Sequence, residues 1–245
     1  MRHATSKIKD VMDLAALAFL GFRGEALSSI AAVSRVELIT KTHGSLTGIR
    51  YLADGGEKIL SEETGCPDGT TIIVRNLFYN TPARKKFLKT PQTEAGYVSE
   101  LVSRLALSHP DISFKFINND QTRLHTAGTG NLKDIIYSVF GREVTGQLLM
   151  VKSSGELIKV SGYIGKPALS RGNRTWENYF INGRYIKSNI VTKAIEDAYK
   201  TFVMVHKFPF TAMHIVIDPS YIDVNVHPRK MEVRFTENEE VYNRI

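Results

Sequence analysis

The dipeptide Asn182-Gly183, set between the apolar runs Tyr179-Phe180-Ile181 and Tyr185-Ile186, restricts how this chain can fold more than any other short stretch. Both residues tolerate the positive φ that a two-residue type I′ turn demands, so antiparallel strands are predicted on either side. Ser188 follows as a candidate helix N-cap, with Ile190, Val191, Ala194, Ile195 and Ala198 at helical spacing behind it. Ala212 to Ile217 then reads as a buried strand. Upstream, Leu132 to Phe140 is helical, and Leu148 to Val151 and Leu157 to Ile164 are strand-like. The first half alternates in the same way. Val36 to Thr40, Ile49 to Leu52 before the Asp54-Gly55-Gly56 turn, and Thr70 to Val74 read as strands. A helix around Leu101 to Ala106 stops before Pro110, and Phe114 to Ile117 leads into an Asn118-Asn119-Asp120 turn. The class is α+β with antiparallel pairing.

A chain of 245 residues that is 42% hydrophobic supplies one or two cores. The small, polar stretch Thr126-Ala127-Gly128-Thr129-Gly130-Asn131 is the natural linker, which sets the expected domains at 1–127 and 128–245. No apolar run approaches the ~18 residues of a membrane helix, and no secretory leader pattern opens the chain, so a cytoplasmic location is expected. The single cysteine, Cys66, has no internal disulfide partner. A net charge of +7 and a pI near 9.4 favour an anionic partner without naming it. The densest basic cluster, Arg84-Lys85-Lys86 with Lys89, reads first as a solvated face, as charge runs usually do.

The block Gly21-Phe22-Arg23-Gly24-Glu25-Ala26-Leu27 lies between two apolar-periodic stretches. Before it, Ile8, Val11, Met12, Ala15, Ala18 and Phe19 follow a helical period; after it, Leu27, Ile30 and Ala31 begin another. Glycines flanking an arginine at a helix start let bare N–H groups approach an anion, and the helix dipole and the arginine favour phosphate. A glycine pair between helices is also simply a turn.

Three longer strings carry a resemblance. Arg2-His3-Ala4-Thr5-Ser6-Lys7-Ile8 with the glycine-arginine block and Ser28 to Val36, then Gly69 to Leu88, then Asp223 to Phe235 occur in order along the chain. Together they resemble the MutL family of DNA mismatch-repair proteins. Related ATPases share the nucleotide fold but have different lid sequences. The resemblance implies an incomplete GHKL (Bergerat) ATPase α/β sandwich followed by a transducer domain like ribosomal protein S5 domain 2. The family's opening helix, with its water-activating Glu and magnesium-holding Asn, and its Asp-x-Gly-x-Gly adenine element lie before the point where this chain starts, so a fragment is expected.

The resemblance also implies roles. Gly21, Arg23, Gly24, Glu25, Ala26 and Leu27 match the lid that closes over ATP; Glu25 is expected to complement the dipole in the first helical turn rather than act as a base. Thr5 and Ser6 either bond phosphate or Mg2+-bound water, or cap a helix. Thr70 matches the threonine on the adenine side, and Lys230 the lysine that reaches the γ-phosphate. His227 is read as structural. Implied partners are DNA bound without sequence preference, a second copy in an ATP-dependent homodimer, and a MutS-type mismatch-recognition protein. Arg171, Arg174, Arg184 and Lys187 are candidates for the DNA-facing groove. A different reading is a non-catalytic nucleic-acid-binding or interaction module with a vestigial lid. Because a lid and a lysine supply electrostatics but no positioned base, the 245-residue chain is expected not to turn over ATP. Steady turnover by the purified chain, abolished by Lys230→Ala, would overturn this.

Overall fold

The computed structural model describes residues 24–223 and 234–245, which divide into two compact units, residues 24–91 and 92–245. The first begins with the short helix α1 (Ala26–Ala31), followed by strands β1 (Arg35–Lys41), β2 (Gly48–Asp54), β3 (Glu57–Thr64) and β4 (Gly69–Arg75), and by α2 (Pro82–Lys85). The strands form one antiparallel sheet in the order β3-β2-β1-β4. Gly55 and Gly56, at φ 59 and 94, make the predicted turn between β2 and β3. Opposed residues share a face, so Val36, Leu38 and Thr40 stand beside Ala53, Tyr51 and Ile49 on one flank and Val74, Ile72 and Thr70 on the other. That face is the apolar one. Val36 and Ala53 are buried in it, whereas Ile49, Ile72 and Val74 are about half exposed.

The second unit opens with α3 (Pro91–Ser108), the hairpin β5 (Lys115–Asn118) and β6 (Gln121–His125), and α4 (Leu132–Thr145), which is interrupted at Gly141. Strands β7 (Leu148–Ser154), β8 (Ile158–Gly165), β9 (Glu177–Ile181) and β10 (Arg184–Tyr185) follow, then α5 (Asn189–Tyr199) and β11 (Thr211–Ile217). The pair β12 (Ile222–Asp223) and β13 (Arg234–Phe235) and the helix α6 (Asn238–Arg244) complete it. The main sheet has the order β10-β9-β11-β8-β7. Strands β9 and β11 run parallel, joined through α5 as a crossover; the other neighbours are antiparallel.

Each face of this sheet has its own core. Tyr179, Ile181, Met213 and Ile215 pack with Val191 and Ile195 of α5 and Val241 of α6. Phe180, Ala212 and Phe210 pack with Ala106 and Leu107 of α3, Ile135 and Ile136 of α4, and Leu124 of β6. All five residues of β9 are buried, as expected of a strand covered on both sides.

The stretch Thr126 to Asn131 is anchored at its start, while Ala127 and Thr129 to Asn131 are exposed. Thr126 is 2% exposed. Its Oγ1 accepts from Phe114 N at 2.8 Å, and its carbonyl accepts from Ser113 Oγ at 2.6 Å. Gly128, at φ 69, lies so close that a Cβ there would stand 2.6 Å from Ser113 N. Small residues are used here because two backbones nearly touch, and the stretch lies inside the second unit.

Asn182 and Gly183 adopt φ 49 and 75, as the turn requires. The asparagine does more than turn the chain. Its Nδ2 donates to Ile217 O at 2.8 Å, its Oδ1 accepts from Ile217 N at 3.0 Å, and its own N–H donates to Ile215 O at 2.9 Å. It therefore brackets the end of β11. Asn182→Gly keeps the turn but strips both side-chain bonds from Ile217, and is expected to lower unfolding free energy by about 2 kcal/mol in urea titrations. A change within about 0.5 kcal/mol would mean that the bracket contributes little.

Candidate functional site

Gly24 has φ 61, in the left-handed region that favours glycine, and α1 begins two residues later. Glu25 occupies the N-cap position rather than the first helical turn expected for it, and it makes no side-chain cap bond. No acidic residue stands in the first turn. Glu25 contributes through its carbonyl, which accepts from Ser29 N at 2.9 Å and Ser28 Oγ at 3.0 Å. Ala26 and Leu27 are exposed. Thr5, Ser6, Gly21, Arg23, His227 and Lys230 lie outside the described residues.

Thr70, the second residue of β4, is level with Thr40, and the two hydroxyls are 2.8 Å apart. It therefore has a partner on the apolar face of the sheet. Helix α1 joins β1 near Arg35, five residues or roughly 16 Å along the strand from Thr40. The C-terminal end of α1 and Thr70 thus lie by opposite ends of β1. The α1–β1 junction is tied down by Gly55 N donating to Ser34 O at 3.1 Å and Phe78 N to Val33 O at 2.7 Å.

In the second unit the four candidate cations separate into different settings. Arg171 is bridged by backbone bonds to Phe208, and its guanidinium lies 4.0 Å from the Trp176 ring centre. Arg174 covers the Phe208 ring at 4.2 Å and pairs with Glu196, which raises its pKa above the ordinary guanidinium value. Trp176 in turn meets Phe140 and Phe210 edge to face. These two arginines are therefore partly committed to structure. Arg184 is half-buried in β10, and burial lowers its pKa. Lys187 is exposed.

Arg174 and Lys187 come together at one cleft of about 600 Å³, formed by α3, β9, β10 and α5; Arg171 and Arg184 are not in its lining. Two of its other groups escaped the sequence reading. Arg104 stacks on Tyr185 at 4.3 Å and pairs with Glu100 one helical turn away. Glu177 has a side chain only 2% exposed, with Oε2 at 3.9 Å from Arg174 Nε and Oε1 lacking a hydrogen-bond partner. A charged pair at helical spacing signals Arg104 in the sequence. Nothing local to Glu177 distinguishes it from a surface glutamate.

A four-stranded unit with a short helix ahead of β1, continued by a five-stranded unit with a β9–α5–β11 crossover, is the fold of a GHKL ATPase region with an S5-like transducer. The solved Aquifex aeolicus MutL ATPase domain complexed with ADP shares that fold, with a TM-score of 0.65 over 86% of this chain and 76% of that one at 24% identity. The crystal structure of the N-terminal domain of a DNA repair protein is similar over 99% of this chain and 76% of its own, at TM-score 0.78 and 26% identity. Residues 136–245 match the family described as DNA mismatch repair protein, C-terminal domain. The DNA mismatch repair protein MutL of Agathobacter rectalis is 63% identical over 241 residues, which is 98% of this chain and 37% of that protein. The chain belongs to the MutL family of DNA mismatch-repair proteins. It spans about two fifths of the length of the curated relatives it matches. Among the described residues, no helix is long and apolar enough to cross a membrane.

Burial, and then the charge of Glu196, push the Glu177 carboxyl up from 4.5 to about 7, against the pull of Arg174. The folded chain holds this proton up to about pH 7, while the unfolded chain releases it near 4.5. The group's stabilising contribution is therefore complete below the unfolded value and is lost as pH rises through the folded one. Between pH 5 and 8 the parent is expected to lose on the order of 2–3 kcal/mol that Glu177→Gln does not lose. Parallel pH profiles in urea unfolding would contradict this.

Proposed function

We propose that this chain is the nucleotide-responsive and transducing part of a MutL-type mismatch-repair protein. On this reading residues 1–127 belong to the ATPase domain and residues 128–245 to the transducer. The observation that carries it is the lid motif running into α1 through a left-handed Gly24. The amides of Gly24 to Leu27 would hold the phosphates with Arg23 and Gly21, Thr5 and Ser6 would add hydroxyls, and Thr70 would face the adenine side. Lys230 would reach the terminal phosphate, a charge-assisted contact whose loss on hydrolysis biases how the transducer is held.

ATP supplies the triphosphate whose charge these groups recognise; Mg2+ enters this reading only through the family. Among the described residues, no group of three or more His, Cys, Asp or Glu is arranged to hold a metal ion. ATP binding would order the lid, favour a homodimer and let the closed assembly retain DNA, with a MutS-type protein as the upstream partner. Arg171, Arg174, Arg184 and Lys187 would neutralise phosphates, with Lys187 the most available and Arg174 the least because Glu196 already engages it.

Limited trypsin digestion tests the lid directly. ATP is expected to slow cleavage after Arg23 several-fold, and Lys230→Ala to reduce that protection. Cleavage indifferent to ATP, together with salt-sensitive DNA binding, would instead support the non-catalytic nucleic-acid-binding module.

A further inference from the structure

The five-stranded sheet of the second unit ends in two unlike edges. At one, β10 has only two residues; at the other, β7 runs for seven, from Leu148 to Ser154, in unbroken register with β8. Short, bulged or proline-bearing edges resist pairing with a further strand. β7 is none of these.

The bonds that close the β7–β8 hairpin at its two ends fix which backbone groups of β7 are already engaged. Lys166 N donates to Gln147 O at 2.9 Å, and Gly155 N to Ile158 O at 2.8 Å. Bonded pairs alternate along an antiparallel ladder, so between these two the residues of β7 bonded to β8 are Leu149, Val151 and Ser153. The N–H and C=O groups of Met150 and Lys152 face away from the sheet, and no strand lies beyond them among the described residues.

Each face of this edge has its own hollow. On one, Val151 and Ser153 with Val160, Ile164 and Met213 line a space of about 360 Å³. On the other, Met150 and Lys152 with Asp111, Tyr163 and His214 line one of about 530 Å³. Met150 is 74% exposed. Lys152 and Lys159 are diagonal neighbours on that second face, and neither pairs with an acid among the described residues, Asp111 included. A strand laid beside β7 sends alternate side chains to the two faces, so its ladder supplies affinity and the hollows supply selection. Its complement is apolar beside Met150 and acidic beside Lys152. A second copy of β7 meets only the first requirement, because Leu148 to Ser154 contains no acid.

We propose that the β7 edge is a docking site for an extended segment of a partner protein, added antiparallel to Leu148–Ser154 with an acidic residue beside Lys152 and an apolar residue beside Met150. From its N-terminus such a segment reads acid, any residue, apolar. The site engages neither nucleotide nor DNA and goes beyond the function proposed above.

The test uses the 245-residue protein and a labelled peptide as long as β7, with the sequence threonine, valine, aspartate, valine, leucine, valine, threonine. Binding is read by fluorescence anisotropy and by residue-resolved amide hydrogen exchange. The peptide is expected to slow exchange at Met150 and Lys152 about ten-fold and to leave Leu149, Val151 and Ser153 unchanged. Met150→Pro removes an outward N–H but no bond to β8, so it is expected to weaken peptide binding about ten-fold at an unaltered urea midpoint. Met150→Ala keeps that N–H and is expected to lose less. Lys152→Glu is expected to reverse the preference between this peptide and one with lysine in place of aspartate, by about five-fold. That reversal decides the matter if the proline variant is destabilised. Absence of binding, binding that leaves Met150 and Lys152 exchanging as in the free protein, or an unchanged preference in Lys152→Glu would overturn the proposal. So would protection of the same amides without peptide, rising with protein concentration alongside a dimer in sedimentation, since the occupant would then be a second copy.

Discussion

Most of the second unit depends on burying β9 and β11 on both faces at once. Phe180 and Ala212 point to one helical layer and Tyr179, Ile181, Met213 and Ile215 to the other, so no side chain along β9 and few along β11 have a free choice of polarity. The same constraint explains the unusual state of Glu177. It is register partner to Thr211 at the open end of the parallel pair, where the Oε1 of one and the Oγ1 of the other are buried without partners. A fully charged carboxylate there is costly, so the proton is held up to about pH 7. Arg174 relieves it only in part, because Glu196 holds the guanidinium more closely.

The first unit has a different logic. Its central strand β1 is flanked by β2 and β4, and the apolar face they share is only partly covered by described residues: Val36 and Ala53 are buried, but Ile72 is 50% exposed. The opposite face carries charge instead, with Glu37 bridging Arg50 at 2.9 Å and Arg75 at 3.1 Å. Both arginines hold the Glu37 carboxyl below the usual carboxylate range. A sheet with one apolar and one ionic face is one side of a sandwich, and Thr70 stands on the side where a second layer belongs.

What could be read in advance follows from how local each signal is. The turns at Gly55-Gly56, Asn119-Asp120 and Asn182-Gly183 need positive φ at both central residues, and only a few residue types accept that, so composition gives them away. The Ser188 cap is equally local, its Oγ accepting from Val191 N at 3.4 Å. The division into compact units has no such local signal. It falls at 91/92 because Ala106, Leu107 and Leu124 are drawn into the same core as Phe180 and Phe210, a pairing across the chain that no window of sequence contains. At Thr126 to Asn131 composition is ambiguous: residues small enough for a flexible connector are also the residues that let two backbones touch. The cleft was half legible. Arg174 and Lys187 were visible as cations, but whether a cation is available depends on partners such as Glu196, which sits 22 residues from Arg174 and reaches it only through the crossover helix.

The same reasoning separates the loosely packed α1 from the fixed turn after β4. Helix α1 has no buried residue, and Leu27 and Ile30 are 40% and 38% exposed, so little packing energy opposes its rearrangement. The turn bearing Phe87 is held by strained residues and bonds to Ala32 and Val33 that only a rigid frame sustains. With little buried surface, α1 belongs to the weakly packed end of the structure, whereas the turn after β4 is fixed by its surroundings. The two meet at the short junction after α1, where the carbonyls of Ala32 and Val33 accept from Asn80 and Phe78. Any movement of α1 that displaced those carbonyls would break the bonds that keep Phe78 at positive φ.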